Sequence, residues 1–247
     1  MQSYKYLILG GGMTADAAVN GIREADAAGS IGLLSSEPNA PYNRPPLTKG
    51  LWKGDALDSI WRGTEKHGAT LHAGRTAVAI DAKNKTVTDD AGTAYRFEKL
   101  LIATGATPRR LPFGNDSIIY YRTLKDYERL RTLTGQGRRF AVIGGGFIGW
   151  EIAAALAMNG KEVVMLFPDE TIGARLYPLD LGRFLNNYYA QKAVNVVAGS
   201  TVIGVENSAQ GARVKTRNHG EFPVDGVIAG IGVTPNVELA QPAGLKV

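Results

Sequence analysis

The sequence IGGGFIGWEIAAAL, residues 143–156, decides the fold, because it joins a glycine-rich turn to the start of an alanine-rich helix. Gly144, Gly146 and Gly149 have the G-x-G-x-x-G spacing of a loop that binds the pyrophosphate of a dinucleotide. The strand-like run RRFAVI precedes the loop, KEVVMLF follows the helix, and Asp169 lies 20 residues after Gly149. This order predicts a βαβ unit whose helix N-terminus faces phosphates and whose terminal acid faces a ribose.

A second copy of this pattern lies near the start of the chain, in LILGGGMTADAAV, residues 7–19. Gly10, Gly12 and Ala15 have G-x-G-x-x-A spacing, and Glu37 follows the run SIGLLSS, 22 residues after Ala15. A single glycine loop is a weak signal. Two loops that each bring a strand, a helix, a second strand and a terminal acid are not explained by chance. The sequence therefore predicts two dinucleotide sites.

After each βαβ unit the sequence repeats short apolar segments in the same order. GATLHAGRTAVAID, KTVTDD and YRFEKLLIATG follow the first unit, and AVNVVAGSTVIGVE, ARVKTRN and VDGVIAGIG follow the second. The repeat predicts an α/β fold with two tandem Rossmann-like dinucleotide-binding domains, each with a parallel sheet and a small antiparallel crossover sheet. We expect the first domain to span residues 1–115 and the second residues 116–242, with residues 243–247 beginning a return to the first.

The composition is that of a soluble globular chain of 247 residues, with 44% hydrophobic and 21% charged residues. No apolar run reaches the roughly 20 residues of a membrane-spanning helix. The first strand-like segment begins almost at Met1, so we expect no signal peptide and a cytoplasmic location. The three histidines lack the spacing of metal ligands, and we expect no metal site.

The chain has no cysteine, which excludes disulfides, iron–sulfur clusters held by thiolates and a redox-active dithiol. Any redox chemistry must therefore belong to a bound cofactor. The net charge of +5 favours acidic partners, such as a small acidic electron-carrier protein. Nucleic-acid binding is not indicated, because the sequence has no dense basic run with interleaved aromatic residues.

Two dinucleotides in one chain suggest a flavin and a nicotinamide that exchange hydride. Five further motifs agree: PYNRPPLTKGLW (41–52), LLIATGATPR (100–109), GGGFIGWE (144–151), LFPDE (166–170) and GIGVTPNVELA (230–240). In these motifs the chain resembles the flavoprotein pyridine-nucleotide reductases, the group that contains ferredoxin and rubredoxin reductases and apoptosis-inducing factor. The resemblance implies an FAD-binding first domain and an NAD(P)H-binding second domain.

The resemblance also implies the site residues. Those implied to contact FAD are Gly10, Gly11, Gly12, Met13, Thr14, Ala15, Glu37, Arg44, Lys49, Ala77, Thr104, Gly105 and Arg122. Those implied to contact the nicotinamide dinucleotide are Gly144, Gly145, Gly146, Phe147, Ile148, Gly149, Asp169, Arg175 and Gly232. Lys49 and Glu151 match the family's catalytic ion pair beside flavin N5.

Simpler structural explanations exist for three of these residues. Arg44 and Lys49 could be solvated ends of a loop that its two prolines stiffen. Glu151 could be a first-turn helix residue that only the helix dipole stabilises. The carboxylate of Asp169 favours NADH over NADPH, because it can accept a hydrogen bond from a free 2′-hydroxyl and would repel a 2′-phosphate. Arg175 leaves the alternative open, because its guanidinium could accommodate that phosphate.

The resemblance implies an FAD-dependent NAD(P)H oxidoreductase that passes electrons to an external acceptor such as ferredoxin or rubredoxin. Two alternatives stay open: an NADH oxidase or redox sensor of the apoptosis-inducing-factor type, and a non-catalytic NADH-binding or nucleic-acid-associating module. The family continues beyond the point that corresponds to Val247. We therefore expect a chain truncated at its C-terminus, weak retention of FAD, and a homodimer as a possible state of the full-length form.

Overall fold

The computed structural model describes residues 1–208 and 211–247, and their contacts divide the chain into two compact units. Unit 1 comprises Met1–Asn43, Leu57–Thr107 and Pro235–Val247. Unit 2 comprises Arg44–Ala56 and Pro108–Thr234. No helix in the described ranges is long and apolar enough to cross a membrane.

Unit 1 contains one six-stranded sheet in the order β3-β2-β1-β6-β5-β4. The first four strands in this order run parallel, whereas β4 and β5 are antiparallel to their neighbours. The elements are β1 (Gln2–Leu9), α1 (Met13–Ala25), β2 (Ile31–Ser35), β3 (Ala69–Ala73), β4 (Ala77–Asp81), β5 (Thr86–Asp89), β6 (Ala94–Ile102), and the 3-10 turns Leu57–Ile60 and Thr64–His67.

Side-chain alternation along β1 builds a core on both faces of this sheet. Leu7 and Leu9 pack into the cluster on one face, and Ile8 packs into the cluster on the other. Ala15 and Val19 of α1 are fully buried against Ile8. The small Ala15 side chain lets the first turn of the helix lie close to the sheet.

Unit 2 contains a parallel sheet in the order β11-β10-β9-β15-β8 and a separate antiparallel sheet, β12-β13-β14. Its strands are β8 (Ile118–Tyr120), β9 (Arg139–Ile143), β10 (Glu162–Leu166), β11 (Val194–Val197), β12 (Val202–Ser208), β13 (Gly211–Thr216), β14 (Glu221–Val224) and β15 (Gly226–Ala229). Its helices are α2 (Leu124–Gln136), α3 (Phe147–Met158) and α4 (Leu179–Gln191), with 3-10 turns at Pro45–Thr48, Gly50–Trp52 and Asn115–Ser117. Two short strands, β7 (Ala106–Pro108) and β16 (Val233–Pro235), lie where the chain passes from one unit to the other.

The predicted α/β class with two dinucleotide-binding βαβ units is confirmed, with one difference in unit 1. Its antiparallel strands do not form a separate crossover sheet, because the nine-residue strand β6 pairs with both β1 and β5. In unit 2 the chain leaves the strand conformation at Asp225, between β14 and β15. The Asp225 carboxylate accepts hydrogen bonds from the N–H groups of Arg138 and Arg139, at 2.7 and 2.9 Å, which holds the chain in this break.

The compact units also differ from the predicted ranges 1–115, 116–242 and 243–247. Contacts change from unit 1 to unit 2 after Thr107, the return to unit 1 begins at Pro235, and the segment 44–56 belongs to unit 2. That segment is held inside unit 2 by long-range hydrogen bonds. The hydroxyl of Tyr121 donates to the Leu47 carbonyl at 2.5 Å, and the side-chain amide of Asn159 donates to the Trp52 carbonyl at 3.0 Å. The assignment of a cofactor to each range stays a prediction.

Candidate functional site

The first glycine loop has a backbone path that only small residues can follow. Gly10 has φ of +134°, and a Cβ there would lie 2.2 Å from the Ala103 carbonyl oxygen. A Cβ on Gly11 would lie 2.2 Å from the Ser35 hydroxyl oxygen. Helix α1 begins at Met13, and its N-cap, Gly12, supplies no side-chain cap to the first-turn N–H groups. Uncapped amides at a helix N-terminus suit an anion such as a pyrophosphate.

The second loop repeats this path at the start of α3. Gly144 has φ of +118°, and a Cβ there would lie 2.4 Å from the Gly230 carbonyl oxygen. A Cβ on Gly149 would lie 2.0 Å from the Gly144 carbonyl oxygen, so the third glycine is also required. By contrast, the nearest heavy atom to a Cβ on Gly146 is 4.0 Å away. A side chain at Gly146 would therefore fill open space over the uncapped helix end, where a phosphate could approach.

The terminal acids of the two βαβ units have different surroundings. The Glu37 carboxylate accepts a hydrogen bond of 2.6 Å from the hydroxyl of Tyr42, a residue that is 2% exposed. Asp169 is half-buried, its carbonyl accepts from the Gly199 N–H, and its carboxylate has no donor among the described residues. Arg175 is exposed and makes no ion pair within those residues. Both carboxylates could accept from a ribose hydroxyl, but only that of Glu37 is already held.

The structure ties the predicted FAD residues Thr104 and Gly105 to the returning segment of unit 1. Asn236 accepts from the Thr104 hydroxyl at 2.9 Å through its carbonyl, and its side-chain amide donates to the Thr104 carbonyl at 2.9 Å. The Asn236 N–H donates to the Gly105 carbonyl at 3.0 Å. Gly105 has φ of +72°, a conformation that favours glycine. Ala77, at the start of β4, packs its methyl group against the core, so only its backbone N–H and carbonyl could form hydrogen bonds with a ligand.

The predicted catalytic pair is brought together within unit 2. Lys49 Nζ lies 2.7 Å from Oε1 of Glu151, and the Thr48 hydroxyl donates to Oε2 of Glu151 at 2.6 Å. Lys49 ends the 3-10 turn of the segment 44–56, and Glu151 lies in the second turn of α3. Glu151 thus has two side-chain partners, so it is not a solvated helix residue that only the helix dipole stabilises.

The two predicted arginines of the FAD set also meet inside unit 2. A guanidinium nitrogen of Arg44 donates to the Arg122 carbonyl at 3.1 Å, and the Arg122 N–H donates to the Asp126 carboxylate at 3.1 Å. Three residues predicted to contact FAD, Arg44, Lys49 and Arg122, therefore lie in unit 2, whereas the remaining members of that set lie in unit 1.

Gly232 and Phe147, the aromatic residue of the second loop, are both exposed in unit 2. Gly232 has φ of +98°, and its carbonyl accepts from the Arg109 N–H at 3.0 Å. The Phe147 side chain is 54% exposed, which is unusual for a large apolar residue that begins a helix in a glycine loop. Ile148 is half-buried and lies beside Gly230. Sequence reasoning missed Arg109, although it lies inside the motif LLIATGATPR.

An aromatic stack behind Phe147 was also missed. The Phe147 and Trp150 rings meet edge to face with centroids 4.8 Å apart, and Trp150 stacks on Tyr177 at 5.9 Å. Gly173 has φ of +69°, and a Cβ there would lie 2.6 Å from Tyr177. The stack holds one side of Phe147, and the signal that could have revealed it is the tryptophan in GGGFIGWE.

Sequence reasoning also missed Asp16, a buried acid in α1 just after the first loop. Asp16 is 1% exposed, and its carboxylate lies 2.5 Å from the Arg62 guanidinium and accepts from Thr64 at 2.6 Å and from Asn20 at 3.2 Å. These contacts fix the first turns of α1 to the 3-10 turn Thr64–His67. A buried charge needs such partners, since it would otherwise cost several kcal/mol.

The Tyr189 hydroxyl lies within electrostatic range of Glu151. Burial, together with the negative charge of Glu151, raises the pKa of the Tyr189 hydroxyl to about 12. This hydroxyl donates to the Trp150 carbonyl at 3.1 Å. Tyr189 is therefore a neutral hydrogen-bond donor at physiological pH.

Comparisons with known proteins agree with this arrangement. The chain is 32% identical to apoptosis-inducing factor 1 of Dictyostelium discoideum, and the similarity covers 100% of this chain and 52% of that protein. It is 32% identical to the ferredoxin–NAD(+) reductase component of the anthranilate 1,2-dioxygenase system of Burkholderia cepacia, over 100% of this chain and 63% of that protein. Putidaredoxin reductase in its covalent complex with putidaredoxin is similar in structure, with a TM-score of 0.90 and 30% identity over 100% of this chain and 63% of that chain.

The chain thus spans between about half and two thirds of the length of these relatives. A family model described as pyridine nucleotide-disulphide oxidoreductase matches residues 4–247, which is nearly the whole sequence. Together with the two glycine loops and their βαβ units, this match shows that the chain belongs to the pyridine nucleotide-disulphide oxidoreductase family.

Proposed function

We propose that the chain carries the two nucleotide-binding parts of an FAD-dependent NAD(P)H oxidoreductase of the ferredoxin reductase type. Bound FAD would accept hydride from NADH and pass electrons to an external acceptor such as ferredoxin or rubredoxin. The ion pair between Lys49 and Glu151, at 2.7 Å on the helix of the second glycine loop, is the observation that carries this proposal. The resemblance assigns this pair to the flavin N5 position, and binding a pyrophosphate at the loop does not require it.

Each residue set has a separate task in this proposal. The uncapped N-termini of α1 and α3 hold the two pyrophosphates, and Glu37 and Asp169 accept from ribose hydroxyls. Exposed Phe147 offers an aromatic face to the nicotinamide ring. Lys49 provides a positive charge that favours a reduced, anionic flavin, and Glu151 orients that charge.

Anaerobic mixing with NADH tests the proposal directly. Because weak retention of FAD is expected, the chain is kept in an excess of FAD and mixed with NADH while the visible flavin absorbance is followed, with free FAD and NADH as the blank. We expect the absorbance to bleach and to return when oxidised ferredoxin or rubredoxin is added. Flavin that stays oxidised with a saturating excess of NADH, with nucleotide binding intact, would favour the non-catalytic NADH-binding alternative.

An NADH oxidase or redox sensor of the apoptosis-inducing-factor type is the second candidate. The 32% identity to the Dictyostelium apoptosis-inducing factor, over all of this chain, favours it as much as the reductase relative favours the first. The two differ in their oxidant. Reoxidation of the reduced flavin that is slow with oxygen and unchanged by added iron–sulfur proteins would support this second candidate.

The location and assembly of the protein form part of the same proposal. We keep the cytoplasm as its compartment and a homodimer as a possible state of a full-length form. Cell fractionation with a specific antibody tests the first, and light scattering over a range of concentrations tests the second.

A further inference from the structure

Both oxygens of the Glu151 carboxylate are held by consecutive residues of the segment 44–56. Lys49 Nζ contacts Oε1 at 2.7 Å, and the Thr48 hydroxyl contacts Oε2 at 2.6 Å. The Lys49 side chain is 52% exposed, whereas Thr48 is 7% exposed. The contact to Thr48 is therefore the more protected of the two.

The single proton of the Thr48 hydroxyl has two acceptors within reach. Oε2 of Glu151 lies at 2.6 Å and the Pro45 carbonyl at 3.2 Å. A carboxylate is the stronger acceptor, and the shorter distance belongs to it. The terminal torsion of a glutamate side chain is broad, so a carboxylate held at one oxygen can rotate. A carboxylate that is held at both oxygens has one orientation.

We propose that Thr48 is a positioning residue: its hydroxyl fixes the Glu151 carboxylate so that the second oxygen stays on Lys49. The consequence for catalysis rests on the proposed function, because Lys49 matters there through its charge beside the flavin. The positioning itself concerns only this chain, and it can be measured on protein without any cofactor.

The first test measures how readily Lys49 is acetylated by acetic anhydride in the cofactor-free protein, followed by mass spectrometry. Thr48→Val removes the hydroxyl at nearly constant shape, and Thr48→Ser keeps it. Thr134→Val is a matched control, since Thr134 is also 7% exposed and its hydroxyl donates to the Arg131 carbonyl at 2.8 Å. We expect a rate about threefold above the parent in Thr48→Val, as for a lost hydrogen bond of ordinary strength, and parental rates in Thr48→Ser and Thr134→Val.

A double-mutant cycle separates positioning from a general loosening of the segment. In a Glu151→Gln background the Lys49 ion pair is already lost, so Thr48→Val should add no further reactivity. Equal rates in the parent and Thr48→Val, or an undiminished effect in the Glu151→Gln background, would overturn the proposal. If circular dichroism shows that Thr48→Val is unfolded, Thr48→Ala replaces it in the same comparison with Thr48→Ser.

The second test follows flavin reduction by NADH in the same variants loaded with FAD. We expect Thr48→Val to be slower by about threefold to tenfold, with Thr48→Ser near the parent and an unchanged KM for NADH. A parent that does not reduce flavin refutes the proposed function, while the acetylation rates still decide the role of Thr48. A parent that reduces flavin at the same rate as Thr48→Val overturns the role of Thr48 in the reaction.

Discussion

The two glycine loops share a backbone path and differ in the residues that a ligand would contact. Gly10 and Gly144 both have positive φ, and each lies against the carbonyl of the residue just after a neighbouring strand, Ala103 after β6 and Gly230 after β15. The acids differ, because Glu37 is held by Tyr42 whereas the Asp169 carboxylate has no donor in the described chain. A preorganised acid lowers the entropy cost of binding. A ribose at the first loop would therefore meet an acid that is already oriented, and a ribose at the second loop an acid that is still to be ordered.

The helices that follow the loops differ at two equivalent positions, counted from Gly12 and Gly146. The third residue after each N-cap is Ala15 in α1 and Gly149 in α3, and the fifth is Ala17 and Glu151. At the fifth position α1 has an alanine, whereas α3 has the carboxylate that pairs with Lys49. Substitutions at these positions show how far the two loops are interchangeable.

We expect the largest effect at the third position. In Gly149→Ala the new Cβ would lie 2.0 Å from the Gly144 carbonyl oxygen, so the loop must shift. We expect a loss of about 1–3 kcal/mol in the free energy of unfolding and a loss of NADH affinity of tenfold or more. Urea unfolding and fluorescence titration with NADH measure both.

Ala15→Gly is the matched change in the first loop. It should cost about 1 kcal/mol and leave NADH binding unchanged, since no clash arises. Gly149→Ala with parental NADH affinity would show that the second loop tolerates the first loop's residue and that the difference is neutral.

Glu151→Ala should lower the rate of flavin reduction by about tenfold or more while the chain stays folded. Its physical reason is that Lys49 loses the carboxylate that orients it at 2.7 Å. Stopped-flow reduction by NADH measures the rate. Glu162→Ala is the control, because it removes an exposed pair with Arg138 at 2.8 Å in the same unit. A parental rate in Glu151→Ala would reduce Glu151 to a structural residue.

The free Asp169 carboxylate predicts a preference for NADH. A 2′-phosphate beside it would meet like charge, and we expect NADPH to reduce the flavin about tenfold to a hundredfold more slowly at equal concentration. In Asp169→Ala this ratio should fall toward one, while Arg175→Ala should leave NADH as the preferred donor. Faster reduction by NADPH than by NADH in the parent would contradict the assignment of this acid.

Local patterns were enough to predict the glycine loops, their strands and helices, and the terminal acids. The pairing of Lys49 with Glu151 came from the family resemblance, because the two residues lie 102 positions apart and no spacing rule connects them. Nothing in the sequence showed which unit the segment 44–56 packs on. Tyr121 and Asn159 decide that, through hydrogen bonds from distant parts of the chain to the carbonyls of Leu47 and Trp52.

Other contacts between residues far apart in the sequence could not be predicted either, because no spacing rule connects such residues. The charge of Asp16 is balanced by Arg62, 46 residues away, and both read as ordinary polar positions in the sequence. The stack of Trp150 on Tyr177 likewise joins a helix to a loop. The break between β14 and β15 depends on contacts of Asp225 with Arg138 and Arg139, which lie far from it in the sequence.

The break at Asp225 is a further difference between the units. Unit 1 has one continuous strand, β6, where unit 2 has the two strands β14 and β15. Burial acts to raise the pKa of the Asp225 carboxyl. The N–H groups of Arg139 and Arg138 and the Arg139 guanidinium outweigh it, so the pKa lies below its usual value of 3.8. A carboxyl whose pKa is lower in the folded chain contributes stability above the unfolded pKa. That contribution is lost as the pH falls through the folded pKa.

Asp225→Asn should therefore lower the free energy of unfolding by about 1 kcal/mol at neutral pH, because an amide accepts the two backbone N–H groups less strongly than a carboxylate does. The difference between parent and variant should shrink as the pH falls below 3.8, where the parent's carboxyl also becomes neutral. Urea unfolding at neutral and acidic pH measures it. A difference that stays constant across this range would mean that the break depends on the shape of residue 225 and not on its charge. The contrast with β6 would then come from chain geometry alone.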